Sequence, residues 1–333
     1  MHTKTKNSKI VSNIDLAAQI ITGIKGNPIE TIAVQQLNLT LHPLRNTKYT
    51  RIYDTNGKLI LSEKDKLVEE IFNSALHKAC HTFTLNNKDF IDHSVLIRNT
   101  ALANKNFNNQ PQPSLGACLV NHLKSHQSFK SLDKTDLALL QWHIANLEFA
   151  NGIIHQTSLH HWDQDDDEGF EGWHCLIKNG YGQITDAIAS GHSSKEQLDI
   201  RLNKVVTSIT KLENDYLVEC KDGALFECDL LVVTLPLGVL KAGTVRFDPE
   251  LPEWKRSAIQ RMGYGSFNKV VMVFPRLFWN QSVDAFGTLG GKYDTGDTPD
   301  FDKMRRGESY LVWNLASATG LPILVLFTSG IMH

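Results

Sequence analysis

Apolar residues along this chain recur with two different periods, and the switches between them separate helical from extended stretches. After Ser62, the residues Leu67, Ile71, Phe72 and Leu76 return at helical spacing. Ser62 is followed three residues later by Asp65, so 62–83 is predicted to be a capped amphipathic helix. Two more helices are predicted over 114–126 and 133–150. The second has Asp133 as its N-cap and Leu137, Leu140, Ile144 and Leu147 as its apolar stripe. Residues 84–115 are rich in asparagine and carry Pro111 and Pro113, which predicts a loop or insertion. Nearer the start, 13–24 reads as a strand or short helix running into Gly26-Asn27-Pro28, where the proline begins a helix. Residues 51–61 read as a β-hairpin turning at Asn56-Gly57.

Further on the period falls to two. Residues 198–235 predict a meander with short turns at Asn214-Asp215 and Asp222-Gly223. Its last part, 230–235, is an almost unbroken apolar run closed by Pro236, and reads as a strand buried on both faces. Proline cannot donate to a sheet ladder, so the strand should end there. In open α/β sheets the carboxyl ends of such strands are where ligands sit. A second buried strand is predicted over 267–274. It contains one misfit, Lys269, whose ammonium must reach water, a carboxylate or a ligand, or snorkel to solvent from the strand mouth. The fold class predicted is α/β (α+β).

Composition narrows the function classes. With 333 residues, 41% of them hydrophobic, the chain can bury a sizeable core and make about two domains. A formal net charge of -2 argues against a nucleic-acid surface spread over the protein, and no nucleic-acid partner is expected. No apolar run approaches the roughly 20 residues that span a bilayer, so no membrane partner is expected either. The five cysteines include no CxxC pair, which predicts reduced thiols in a cytosolic or nuclear compartment. His77/His81 and His122/His126 have helical i,i+4 spacing, but two nitrogens rarely hold a metal and no third ligand is near in sequence, so no metal site is assigned. The acidic run 162–171 fails as a calcium loop, with Glu168 where the sharp turn wants glycine. It reads either as a solvated loop with locally capping aspartates or as an electronegative rim for a basic partner. GxGxxG, GxxxxGK[ST] and GxSxG are all missing.

Several longer strings carry a resemblance. WHIANLEFANG (142–152), HWDQDDD (161–167), NGYG (179–182), TLPLGVLK (234–241), LPEWKRSAIQRMGYGSFNKVV (251–271) and FW (278–279) resemble the flavin-dependent lysine-specific histone demethylases, a branch of the flavin amine oxidase superfamily. Weaker similarity extends to 15–28 and 64–70. The resemblance implies a partial two-domain flavin amine oxidase fold. An FAD-binding part from 1–43 and 169–265 would lack its first βαβ unit, and a substrate part would come from 44–168 and 266–333.

It also implies roles. Lys269 matches the lysine that holds a water against the flavin N5. Thr234, Leu235, Pro236 and Val206 match backbone lining the adenine and diphosphate end of FAD, and Ile20 and Thr22 match residues beside the isoalloxazine. Phe149, Ala150 and Asn151 match the substrate-channel wall and Trp313 a pocket aromatic. Asp163, Asp165, Asp166, Asp65 and Glu69 match carboxylates that receive a basic histone tail. The activity implied is oxidation of N-methyl-lysine in the nucleus, with a histone tail and molecular oxygen as partners; polyamine oxidation and a non-catalytic histone-tail groove are the alternatives. Ala17 departs from a glycine of the pattern. The short stretch from Leu119 to Leu140 leaves no room for a long helical hairpin, so no coiled-coil corepressor is expected. Without a glycine-rich turn to hold the diphosphate, the chain as written is expected to purify without flavin.

Overall fold

A computed structural model of the chain describes residues 14–16, 18–44, 50–86, 113–163, 169–191, 198–289 and 301–329. The chain forms two compact units, residues 1–186 with 265–333 and residues 187–264. In order, it runs β1 (Ile20–Ile21), α1 (Pro28–Glu30), a π-helical turn (Thr31–Gln36), β2 (Leu41–Pro43), β3 (Arg51–Tyr53), α2 (Ser62–Asn86), α3 (Leu115–Ser125), α4 (Lys134–Asn151), β4 (Cys175–Ile177) and α5 (Gly182–Ser190). Next come β5 (Val206–Lys211), β6 (Tyr216–Cys220), β7 (Leu225–Cys228), α6 (Leu237–Ala242), β8 (Arg246–Asp248) and α7 (Glu253–Arg261). The chain closes with β9 (Phe267–Val273), β10 (Ala285–Thr288), β11 (Leu311–Asn314), α8 (Ala316–Thr319) and β12 (Ile323–Ser329). This is a mixed α/β architecture.

The larger unit holds a five-stranded sheet in the order β3-β10-β11-β12-β9, with β3 parallel to β10 and the other pairs antiparallel. Helices α2, α3 and α4 pack with it into one core that includes Val68, Leu119, Leu140, Ile144, Ile323 and Val325. Helix α4 is capped as its sequence predicts. The Asp133 carboxylate accepts from Asp136 N and the Asp136 carboxylate from Asp133 N, both at 2.9 Å. Such caps contribute about 1 kcal/mol. Beyond the predicted stripe, α4 is buried on nearly every side from Ala138 to Ala145. A second small sheet, β1-β4-β2, draws on 20–43 and 175–177 and closes a core of its own around Ile21, Ala33, Ile177 and Ile184. The hairpin after β3 differs from its prediction in loop length. Asp54 N bonds Lys58 O while Gly57 N bonds Asp54 O, so Thr55-Asn56-Gly57 make a three-residue loop with Gly57 at a positive φ of 78°. Helix α2 runs past the predicted end to Asn86, and α3 begins only at Leu115, capped by Ser114; residues 87–112 of the predicted insertion lie outside those described.

The smaller unit is a four-stranded sheet in the order β7-β6-β5-β8. The predicted meander supplies β5, β6 and β7, but 198–205 contributes no strand. Residues 230–235 correct the expectation of a strand buried on both faces. They form no strand among the described residues, and Leu230 and Val232 are 87% and 84% exposed. A buried parallel strand needs sheet neighbours on each side and helices over each face. Within this unit the sheet ends at β7, and the run pairs with no strand among the described residues. The strand predicted at 267–274 forms as β9, but at the sheet edge. Among the described residues its one strand neighbour is β12, and Val270 is 49% exposed. The five cysteines form no disulfide, and no described helix is long and apolar enough to cross a membrane.

Candidate active site

The chemistry gathers around Lys269 on the edge strand β9. Side chains alternate along a strand, so Phe267, Lys269 and Val271 share one face. The register sets Lys269 opposite Phe327 of β12. Phe267 stacks on Phe327 at 5.5 Å, and Phe149, from the last turn of α4, meets both edge-on at 4.7 and 5.6 Å. Trp313 of β11 packs against the same Phe327 ring at 4.7 Å. The Lys269 ammonium lies 5.8 Å from the centre of that ring and donates to Gln19 Oε1 at 3.1 Å. Burial pushes the ammonium below the ordinary lysine range, and the nearby Asp15 carboxylate opposes that shift only in part. Of the residues assigned to this site, the structure therefore brings together Lys269, Phe149 and Trp313.

Gln19 immediately precedes β1, which pairs antiparallel with β4 at Ile20–Leu176 and Ile21–Cys175. Ile20 is half-buried against the main core, and Thr22 is exposed at the start of a tight loop. Asn27 ties that loop from within. Its amide donates to Gly23 O at 2.9 Å and Thr22 O at 3.3 Å, and its carbonyl accepts from Ile29 N to cap α1. Gly23 has a φ of 69°, and a Cβ there would meet Phe170 O at 1.9 Å, so only glycine fits. The Asp15 carboxylate is held by Tyr181 N at 2.8 Å. Ala17 lies outside the described residues.

The C-terminal end of α4 has its own anchor. Arg306 forks onto Glu148 at 2.8 and 3.0 Å and donates to Gln141 Oε1 at 3.1 Å. Glu148 also accepts from Ile154 N, just past the helix end. The glycine after Arg306 is required. A Cβ on Gly307, at a φ of 78°, would come within 2.2 Å of Ser329 O. This network fixes the turn carrying Phe149, Ala150 and Asn151. Ala150 is exposed there, and Asn151 donates back to Leu147 O.

The other assigned residues sit apart. Asp65 turns toward His143 Nε2 at 3.1 Å, while Glu69, one turn further along α2, is exposed. Asp163 is half-buried after a bridge between Ser158 and Ser114; Asp165 and Asp166 lie outside the described residues. In the smaller unit, Val206 begins β5, and Thr234 and Leu235 end the exposed apolar run before Pro236 opens α6.

Sequence reasoning missed Gln19, Phe267 and Phe327. Phe267 was within reach, because it stands two residues from Lys269 and so shares its face. Gln19 left no such signal, since its burial is settled by a strand 250 positions away. Among the described residues no cluster of His, Cys, Asp and Glu could hold a metal ion.

An aromatic cofactor with hydrogen-bonding ring nitrogens matches the donor set. Lys269 offers N–H groups at the rim of an aromatic and apolar wall, with Ile20 and Thr22 one to three residues from Gln19. Several known proteins are similar to this chain. It is 31% identical over 318 residues to Lysine-specific histone demethylase 1 homolog 2 of Oryza sativa subsp. japonica, and 34% over 322 residues to Lysine-specific histone demethylase 1 homolog 1 of Arabidopsis thaliana. Each alignment covers 95% of this chain but 36% and 33% of the relative. Histone demethylase-like protein A of Aspergillus fumigatus is 39% identical over 225 residues, 66% of this chain and 20% of that protein. The chain thus spans about a third of the length of the first two. The family model for flavin containing amine oxidoreductases matches residues 1–330, and the chain belongs to that family.

Proposed function

We propose that this chain carries the lysine-centred part of an FAD-dependent amine oxidase that demethylates N-methyl-lysine in histone tails. The observation that carries the reading is Lys269, a burial-shifted amine fixed by Gln19 beside the Phe149, Phe267, Phe327 and Trp313 rings. Family membership supports the coarser reaction, and the relatives' names support the substrate. Within the larger unit, Ile20, Thr22 and Lys269 would lie along the flavin ring. Bound flavin supplies the hydride acceptor and, on reoxidation by molecular oxygen, hydrogen peroxide.

The residues of this chain supply placement and a dry wall. The rings exclude water from an alkylamine, and a neutral amine nitrogen is needed because its lone pair must form the iminium as hydride leaves the methyl carbon. Water then adds to the iminium carbon, releasing formaldehyde and the demethylated amine. Lys269, through an N–H or a water it holds, orders that polar end. The Asp163, Asp165 and Asp166 carboxylates would draw in a basic tail by charge complementarity, which weakens with salt. A histone substrate would put its work in the nucleus.

The lone-pair requirement gives the test. Flavin-loaded protein should release formaldehyde and peroxide in equal amounts from mono- and dimethyl-lysine peptides. Trimethyl-lysine peptides should yield neither, because a quaternary nitrogen has no lone pair. Turnover of the trimethyl peptide, or of free polyamines alone, would overturn the reading.

A further inference from the structure

Gln19 is a buried side chain, 7% exposed, and one of ten polar or charged residues buried in the larger unit among the described residues. Its carbonyl oxygen accepts from Lys269 Nζ across 250 positions of sequence. The backbone on both sides of this contact is fixed. On one side Ile20 and Ile21 are paired to β4, and the Asn27-tied loop follows. On the other, Lys269 is paired in register with Phe327. A lysine has four rotatable side-chain bonds and ordinarily gives up considerable freedom to point one way. Here the amide oxygen and the Phe327 ring define two directions around Nζ. The acceptor is moreover neutral. A carboxylate at the same distance would hold a charged ammonium far more firmly than an amine, whereas an amide oxygen accepts an N–H from either form.

We propose that Gln19 is a positioning residue for the amine-oxidation chemistry: its side-chain carbonyl takes one N–H of Lys269 and fixes where the others point, without supplying a charge. This rests on the role given to Lys269 above. Asp15 is the carboxylate that acts on Lys269 from the segment leading to β1, and Tyr181 lies beside Asp15. The facing strand β12 has no ionisable side chain, and β9 has none besides Lys269 itself.

The experiment is a titration that needs no bound flavin. Protein labelled uniformly with ¹⁵N and ¹³C is titrated by NMR, with the Lys269 signal assigned through Lys269→Arg. Gln19→Glu keeps the shape and adds a charge, and should raise the proton affinity of Lys269 at least about tenfold. Gln19→Met keeps the volume and removes the acceptor. It should broaden or shift the Lys269 side-chain signals while the signals of Phe327 and Val325 stay in place. In flavin-loaded protein the pH profile of turnover should move to higher pH in Gln19→Glu by the same amount. An unmoved Lys269 titration in Gln19→Glu, with the fold intact, overturns the positioning role whatever the activity. A moved titration in a protein that oxidises no amine sustains the Gln19–Lys269 contact and instead overturns the reading of function on which the role depends.

Discussion

Replacing Lys269 with methionine is expected to cut amine turnover by roughly 10²–10⁴-fold, the range for losing a positioned proton-transfer or hydrogen-bonding group. In protein that also carries a glycine-rich diphosphate turn and so holds flavin, the flavin content should be unchanged. The fold should tolerate the change well, because methionine fills the space beside Phe327 and lifts the cost of burying an ammonium. What disappears is the one charged side chain of β9, at the face where Phe149, Phe267 and Phe327 meet. Lys269→Arg should be nearly as inactive. A guanidinium keeps the charge but stays protonated and presents a planar fork in place of a compact amine. Oxygen consumption with a dimethyl-lysine peptide, read beside flavin absorbance, checks both variants. Turnover within a few-fold of the parent in Lys269→Met would remove the lysine from the chemistry.

The largest effect on stability should come from Arg306→Met. Arg306 is the cation beside Glu148, whose side chain is only 2% exposed, while Arg306 itself is 19% exposed. Without it a carboxylate remains in the core, bonded only to Ile154 N among the contacts named above, and Gln141 loses a donor. Removing one partner of a buried pair costs about 3–5 kcal/mol. The double variant Glu148→Leu with Arg306→Met should recover much of that, because apolar groups of similar size can replace a buried pair at little cost. Denaturant midpoints of the two variants report the difference. The loss should also reach the site, since Phe149 follows Glu148 directly and takes its place in the aromatic wall from the same helical turn. A single variant within about 0.5 kcal/mol of the parent would mean that the pair is structurally idle.

What could be read in the sequence follows from how far apart the causes lie. The Asp133 cap depends on residues within a few positions of one another and forms as predicted. The helix after Ser62 forms too, but it begins at Ser62 itself, and Leu67 of the predicted stripe is exposed while Val68 is buried. The turn at Gly223 forms with Lys221-Asp222-Gly223 as a three-residue loop, since Cys220 N bonds Ala224 O and Gly223 N bonds Cys220 O. The hairpin at Gly57 forms too, with a loop one residue longer, because Asp54 accepts from both Asn56 N and Lys58 N and so favours the wider turn. The run 230–235 shows the opposite case. Its β-branched, apolar composition states a preference for a covered sheet interior, but composition cannot supply the neighbours. Lys269 stood out as a charge in an apolar strand, whereas its partner Gln19 did not, since any polar residue before a short strand looks solvated until its surroundings are known. Asp65 was assigned to a substrate-facing rim on resemblance. In the fold it turns to His143, a residue 78 positions away and itself stacked on Phe72.

The proposed role of Lys269 and its aromatic wall is to serve hydride removal from an N-methyl group. It is tested most directly by mixing the flavin-loaded protein with a dimethyl-lysine histone-tail peptide in the absence of oxygen. The account predicts that the oxidised flavin band bleaches in a single exponential, about 10²-fold or more slowly in Lys269→Met, and that one formaldehyde appears per flavin reduced. Flavin that stays oxidised in the unmodified protein, with the peptide bound, would contradict it.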